Sequence, residues 1–126
     1  MKDLESVKRF YRDVIGLEVL REFDGVAFLT IGEGYGGHTQ IIGLFQESLP
    51  APGNTLREPV RVEGTSLHHF AMEIDKSDYR AELERLSRLG VELTTYEHLW
   101  CHWRSIYVKD PEGNVVELVC YDESVG

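Results

Sequence analysis

Apolar side chains near the N-terminus recur at the spacing of one buried helix face. They are Leu4, Val7, Tyr11 and Val14. Asp3 precedes them as a capping residue, and Gly16 follows where a helix commonly ends in a left-handed residue. A second helix is predicted from Tyr79, Leu83, Leu86 and Leu89, which share one face. Asp75 or Ser77 is its expected cap, and Gly90 its expected end.

Short alternating or β-branched runs predict seven strands. They cover residues 17–22, 26–31, 39–45, 66–74, 91–95, 104–109 and 115–121. Asp24-Gly25 is a turn signal, and the glycine-rich residues 32–37 are expected to form a flexible hairpin loop rather than a phosphate cradle. Residues 46–64 hold three of the four prolines, so we interpret them as a linker.

The two helices and the strands that follow them repeat at an offset of 90 − 16 = 74 positions, from Gly16 to Gly90. The same offset carries residues 41–44 onto 115–118 without a gap. We therefore predict an α+β fold of two βαβββ repeats in one domain, 1–126. Repeat 1 covers about 1–45, the linker 46–64, and repeat 2 about 65–122. The counterpart of strand 66–74 would precede Met1, so the first strand of repeat 1 is expected to be missing.

Composition excludes several classes of protein. The 126 residues carry a formal net charge of −9, which argues against a nucleic-acid partner. No apolar run approaches the roughly 20 residues of a membrane span, and no signal segment is present, so a cytoplasmic location without a membrane partner is expected. Cys101 and Cys120 lack a CxxC spacing and are interpreted as reduced thiols.

Three segments together resemble the vicinal-oxygen-chelate family of glyoxalases, extradiol dioxygenases and bleomycin-resistance proteins. Residues 3–17 are similar to the first helix of that family, and residues 67–74 (LHHFAMEI) to the strand that opens its second repeat. Residues 107–118 (YVKDPEGNVVEL) resemble its closing hairpin, which is the most specific of the three. The resemblance implies a curved, partly open mixed sheet whose concave face holds a metal or a ligand.

Strand alternation predicts which residues face that surface. His69 lies on the opposite side of its strand from Phe70 and Met72, and Glu117 lies opposite Val116 and Leu118. The resemblance implies that His69 and Glu117 are ligands of a divalent Fe, Mn, Ni or Zn ion, as their chemistry allows. The competing interpretation is a half-buried strand histidine and a carboxylate in a structural network.

The first repeat limits the kind of site. Glyoxalase-type members use a carboxylate from each repeat, and the offset places Gly43 at the position of Glu117, so glyoxalase I itself is disfavoured. The extradiol set of two histidines and one glutamate would need its second histidine on the missing strand.

Other residues complete the candidate site. Tyr107, ten residues before Glu117, matches the substrate-contacting tyrosine of the extradiol enzymes and is the candidate catalytic residue. Trp103, Arg104 and Tyr121 are candidate substrate-binding residues, although Arg104 equally suits a surface ion pair. Cys101 beside His102 is discounted as a nucleophile, because neighbours in a strand point apart.

Two functions remain open at this stage. The first is a metal-dependent enzyme acting on a small oxygenated molecule by dioxygenase-, lyase- or isomerase-type chemistry. The second is a metal-free small-ligand binding protein of the bleomycin-resistance type. In both cases a homodimer is expected, because the sheet edge left by the missing strand favours association.

Overall fold

The computed structural model describes residues 1–49 and 69–126. The chain divides into two compact units, Met1–Thr65 and Ser66–Gly126, and each has its own helix and sheet. No helix in the described parts of the chain is long and apolar enough to cross a membrane. Both Cys101 and Cys120 are free thiols.

The first unit has one helix followed by a three-stranded antiparallel meander. Its elements are α1 (Leu4–Arg9), a π-helical continuation (Phe10–Ile15), β1 (Glu18–Phe23), β2 (Val26–Tyr35) and β3 (His38–Phe45), with the strands in the order β1-β2-β3. The Asp3 side chain accepts a hydrogen bond from Ser6 N at 3.0 Å, and Gly16 has φ +91°. Both predicted helix ends are therefore confirmed.

One face of this meander forms the core of the first unit. Leu29 of β2 and Leu44 of β3 are almost fully buried, as are Val7 and Tyr11 of the helix. Burying a side chain of this size stabilises a fold by about 1.5–3 kcal/mol. The predicted loop over residues 32–37 is wrong in extent, because β2 continues through Tyr35 and only Gly36 and Gly37 form the turn.

The second unit has a mixed four-stranded sheet. Its elements are β4 (Phe70–Glu73), a 3₁₀ turn (Lys76–Asp78), α2 (Tyr79–Arg88), β5 (Leu93–His98), β6 (Trp103–Lys109) and β7 (Val115–Tyr121), with the strands in the order β4-β7-β6-β5. β4 runs parallel to β7, and the other pairs are antiparallel. Leu86 of α2 is fully buried, together with Ile106, Val108 and Val116 of the sheet.

The second helix ends as predicted but begins differently. Gly90 has φ +69°, as expected at a helix end. Asp75 precedes the 3₁₀ turn and Asp78 precedes α2. Neither side chain forms a capping hydrogen bond. The predicted cap is therefore wrong, because the chain enters α2 through a 3₁₀ turn that contains Ser77. Leu89, assigned to the buried face, is 51% exposed. Most of the predicted linker and residues 66–68 of the predicted strand lie outside the described residues.

The α+β fold and its repeated plan are confirmed. Strands β1-β2-β3 of the first unit have the same order as β5-β6-β7 of the second. In the second unit Ile74 N donates to Val119 O at 2.9 Å, just after β4. In the first unit the Met1 ammonium donates to Phe45 O at 2.8 Å, which is the equivalent carbonyl at the 74-residue offset. No strand pairs with that edge of β3 among the residues described in this unit.

Candidate metal and substrate site

One face of the second sheet carries most of the predicted site residues. In the strand register Ala71 lies beside Glu117, Glu117 beside Tyr107, and Tyr107 beside Thr94. Because side chains alternate between the two faces of a strand, these positions project to the same side of the sheet. The opposite side bears Ile106, Val108, Val116 and Leu118 and is buried.

Glu117 is the centre of a hydrogen-bonded cluster. It is only 4% exposed. Its Oε1 accepts hydrogen bonds from the Ser105 hydroxyl at 2.6 Å and the Tyr107 hydroxyl at 3.0 Å. A buried carboxylate must be satisfied by such donors, since an unpaired buried charge is costly. The two hydroxyls occupy Oε1 and leave Oε2 to face His69.

His69 and Glu117 fit the geometry of two ligands on one ion. His69 Nε2 lies 3.1 Å from Glu117 Oε2. Two donor atoms bound at about 2.1 Å to one ion, at about 90° to each other, would lie about 3.0 Å apart. Imidazole and carboxylate are also the donors that suit divalent Fe, Mn, Ni and Zn. No group of three or more His, Cys, Asp or Glu side chains in residues 1–49 and 69–126 is placed to hold a metal ion.

His98 extends the cluster on the side of β5. Its Nε2 lies 2.9 Å from the Tyr107 hydroxyl and 3.8 Å from Glu117 Oε1. Because Tyr107 donates to Glu117, its oxygen is the acceptor toward His98, and this network assigns a proton to Nε2 of His98. Burial, reinforced by the hydrogen bond to Glu117, raises the pKa of the Tyr107 hydroxyl above its usual value.

Trp103 and Tyr121 lie on the same face as the cluster, nearer the other end of the strands. They are paired in the β6–β7 register and are 42% and 58% exposed. Together with Glu73 and Val119 they line a shallow cavity of about 220 Å³.

Arg104 lies on the opposite, helix-packed face. Its guanidinium pairs with Glu97 at 3.0 Å and Asp122 at 3.2 Å, and it lies over the Tyr79 ring at 5.5 Å from the centroid. Strand alternation directs Arg104 away from Glu117, and its two carboxylate partners favour the alternative of a structural ion pair over substrate binding.

Position 43 in the first unit is surrounded by aromatic rings. A Cβ on Gly43 would lie 3.0 Å from the Phe45 ring and 3.2 Å from the Phe28 ring. Phe28 pairs with Gly43 as Tyr107 pairs with Glu117. In the first unit, therefore, an apolar ring takes the place of the hydroxyl donor that Glu117 has.

Sequence reasoning did not assign Ser105 or His98 to the site. Alternation along β6 places Ser105 on the same face as Tyr107, but small polar residues on strands carry no distinctive signal. His98 faces the cluster because of the β5–β6 register, in which it pairs with Trp103. The alternation of Tyr96 and His98 along β5 was an available signal, but its use required the register of the hairpin.

Comparisons with known proteins found a matching family model and a similar curated protein. A family model described as "Glyoxalase/Bleomycin resistance protein/Dioxygenase superfamily" matches residues 1–118. The chain is 29% identical over 119 residues to catechol-2,3-dioxygenase of Bacillus subtilis (strain 168), a match that covers 94% of this chain and 38% of that protein. The chain thus spans well under half the length of this curated relative.

Two solved structures illustrate the range of similar folds. A lactoylglutathione lyase from Agrobacterium tumefaciens is 27% identical, with a TM-score of 0.64, and 94% of this chain and 85% of that chain are covered. A variant of the fosfomycin resistance protein FosX from Listeria monocytogenes, complexed with Mn(II) and dihydroxypropylphosphonic acid, is 19% identical. The TM-score of this match is 0.69, and it covers 98% of this chain and 86% of the FosX chain. The second similarity shows the fold alone.

Proposed function

Because the chain belongs to the glyoxalase/bleomycin resistance protein/dioxygenase superfamily, we propose that it is a metal-dependent enzyme acting on a small oxygenated molecule. The observation that carries this proposal is the His69–Glu117 pair, with Nε2 and Oε2 3.1 Å apart on one face of the sheet. A divalent ion held there would supply Lewis-acid stabilisation of negative charge on substrate oxygens.

Ser105 and Tyr107 orient the carboxylate for this role. Their hydroxyls both donate to Oε1 of Glu117, so the charge available to an ion is directed to Oε2. Two protein ligands leave further coordination positions for solvent, substrate or other groups. Ser105 has no exposed surface, which makes its hydroxyl a fixed part of the site.

Tyr107 and His98 supply hydrogen-bonding groups beside the pair. The Tyr107 ring meets the His69 ring edge-on, with centroids 5.7 Å apart, so its hydroxyl borders the same space as the two ligands. This hydroxyl donates its one proton to Glu117 Oε1, so it can position a substrate hydroxyl by accepting a hydrogen bond from it. His98 is 24% exposed at the side chain and can hold a proton at Nε2 next to that oxygen.

Two observations guide the proposed class of reaction: the name of the curated relative, and the glycine at position 43. The curated relative is named a catechol-2,3-dioxygenase, so a catechol with dioxygen is the first substrate to test. Lyase- or isomerase-type chemistry on a related oxygenated molecule is the next choice. A glyoxalase I activity is disfavoured, since Gly43 provides no carboxylate in the first unit.

Metal analysis of protein purified without chelator tests the proposal. We expect about one divalent ion per chain, lost in His69→Ala and in Glu117→Gln and retained in His38→Ala. His38 is an exposed histidine of the first unit and serves as a matched control. Dioxygen uptake with catechol after loading with Fe(II) tests the activity. Metal-free protein, or equal metal content in all four proteins, would contradict the proposal.

A metal-free binding protein is the second candidate function. It is favoured by the lack of a three-ligand group among the described residues and by exposed rings near the cluster, with Tyr96 at 60% and Tyr121 at 58%. Such a protein would bind planar aromatic molecules equally well before and after treatment with EDTA. The enzyme would instead bind catechol more tightly when loaded with metal.

A further inference from the structure

Glu73 and two aromatic side chains meet in the shallow cavity at the far end of the candidate site. Glu73 pairs with Val119 in the β4–β7 register, and Trp103 pairs with Tyr121, so these four residues line the cavity from one face of the sheet, with Cys120 between two of them in sequence. The distance from Ala71, which lies beside Glu117, to Glu73 is two strand residues, or roughly 6.6 Å.

The Glu73 carboxylate has no hydrogen bond or ion pair with the residues that the structure describes. Three other carboxylates of the second unit are paired with a cation: Asp122 with Lys76, Glu97 with Arg104, and Glu92 with Lys109. An exposed carboxylate in a cavity lined by aromatic side chains attracts a cation, and a ring whose face is turned to the cation adds to the attraction through its quadrupole. The net charge of −9 adds to this attraction at long range.

We propose that the cavity formed by Glu73, Trp103 and Tyr121 binds an ammonium group. A substrate that places an oxygen at the His69–Glu117 pair would reach Glu73 with an amine about two strand residues away. An oxygenated aromatic ring bearing a short aminoalkyl chain has this length. The substrate class is thus an oxygenated aromatic amine; this last step rests on the proposed function, whereas the ammonium pocket does not.

Three probes of similar size separate charge from shape: 2-phenylethylamine, the neutral 2-phenylethanol and the anionic phenylacetate. Binding is followed by the fluorescence of Trp103 in a Trp100→Phe background, in buffer containing EDTA. We expect the amine to bind about tenfold more tightly than the alcohol, and the anion more weakly than either. The preference for the amine should weaken as salt concentration increases.

Glu73→Gln is expected to bring the affinity for the amine to within about threefold of that for the alcohol, with the alcohol unaffected. Glu84→Gln on the exposed face of α2 changes the net charge equally and should leave the preference intact. Trp103→Leu removes the fluorescent reporter, so its binding is measured by isothermal titration calorimetry, and it should weaken binding of both probes. Equal affinities for amine and alcohol in the unaltered protein, or an unchanged preference in Glu73→Gln, would overturn the proposal.

The binding of an ammonium group and the metal-dependent activity can be accepted or rejected independently of each other. Preference for the amine in EDTA, in a protein that holds no metal, would leave the ammonium pocket standing and reject the metal-dependent enzyme. A bound ion released by His69→Ala without any preference for the amine would do the reverse.

Discussion

Replacing Ser105 by alanine removes one of the two donors to a buried carboxylate. The Ser105 hydroxyl lies 2.6 Å from Glu117 Oε1, and the two residues are 0% and 4% exposed. A hydrogen bond to a charged group contributes about 1.5–3 kcal/mol to stability. Water cannot easily replace the lost donor at a position with no exposed surface. Ser105→Ala should therefore lower the free energy of unfolding by about 2 kcal/mol.

Urea unfolding of the metal-free protein, followed by tryptophan fluorescence, measures this cost. Both tryptophans lie in the second unit and report on its sheet. With a slope of about 2 kcal/mol/M, the midpoint should fall by about 1 M. Ser87→Ala is the matched control, because its hydroxyl donates to Leu83 O on the exposed side of α2, and it should change stability by less than about 0.5 kcal/mol.

A double-mutant cycle with Tyr107→Phe extends this test. Both hydroxyls donate to the same oxygen, so losing both should cost more than the sum of the single losses, by about 0.5 kcal/mol or more. A Ser105→Ala midpoint equal to that of the unaltered protein would refute the reasoning. It would mean that the Glu117 carboxylate is turned away from Ser105 Oγ in solution.

The remaining predictions concern acid stability, position 43 and assembly. Hydrogen bonds from Lys76 and Ser124 hold the pKa of Asp122 well below its usual range, so its contribution is present above the unfolded value of about 3.9 and is lost as pH falls below that. Asp122→Asn should be less stable at pH 7, and its difference in urea midpoint from the unaltered protein should shrink progressively as pH falls from about 4 toward the much lower folded-state pKa; a constant difference would contradict this. Gly43→Ala should destabilise the first unit by about 1 kcal/mol in hydrogen exchange, because its Cβ lies 3.0 Å from Phe45 and 3.2 Å from Phe28. Light scattering at micromolar concentration should show a homodimer, and a monomer at every concentration would reject that expectation.

The helix ends were predictable from sequence because they depend on local chemistry. Gly16 and Gly90 both adopt positive φ, which side chains with a Cβ rarely tolerate. The start of α2 was not predictable, since a 3₁₀ turn satisfies backbone N–H groups there without a side-chain cap: Asp78 N donates to Asp75 O, and Tyr79 N donates to Lys76 O. The length of β2 was also missed. Glycines weaken a strand on their own, but pairing with β3 retains Gly32 and Gly34 in the sheet.

The candidate site was predictable where alternation along a single strand decides the face. His69 and Glu117 were placed together on this basis, although they are 48 residues apart in sequence (117 − 69 = 48). Their role as metal ligands stays a prediction. Ser105 and His98 depend on the register between strands, and no local pattern gives that register. Arg104 was ambiguous because the partners that neutralise it, Glu97 and Asp122, come from two different elements.

The two units show why polar chemistry is concentrated in one of them. In the second, Glu117 has Ser105 and Tyr107 as donors to one oxygen and His69 beside the other, so a buried carboxylate is satisfied. In the first, the equivalent position faces the rings of Phe28 and Phe45, which offer no donor. A carboxylate there would be desolvated without compensation, whereas glycine leaves room for the two rings to pack edge to face. A repeat in which aromatic rings replace the hydroxyl donors can keep its fold only if the carboxylate at the equivalent position is replaced as well.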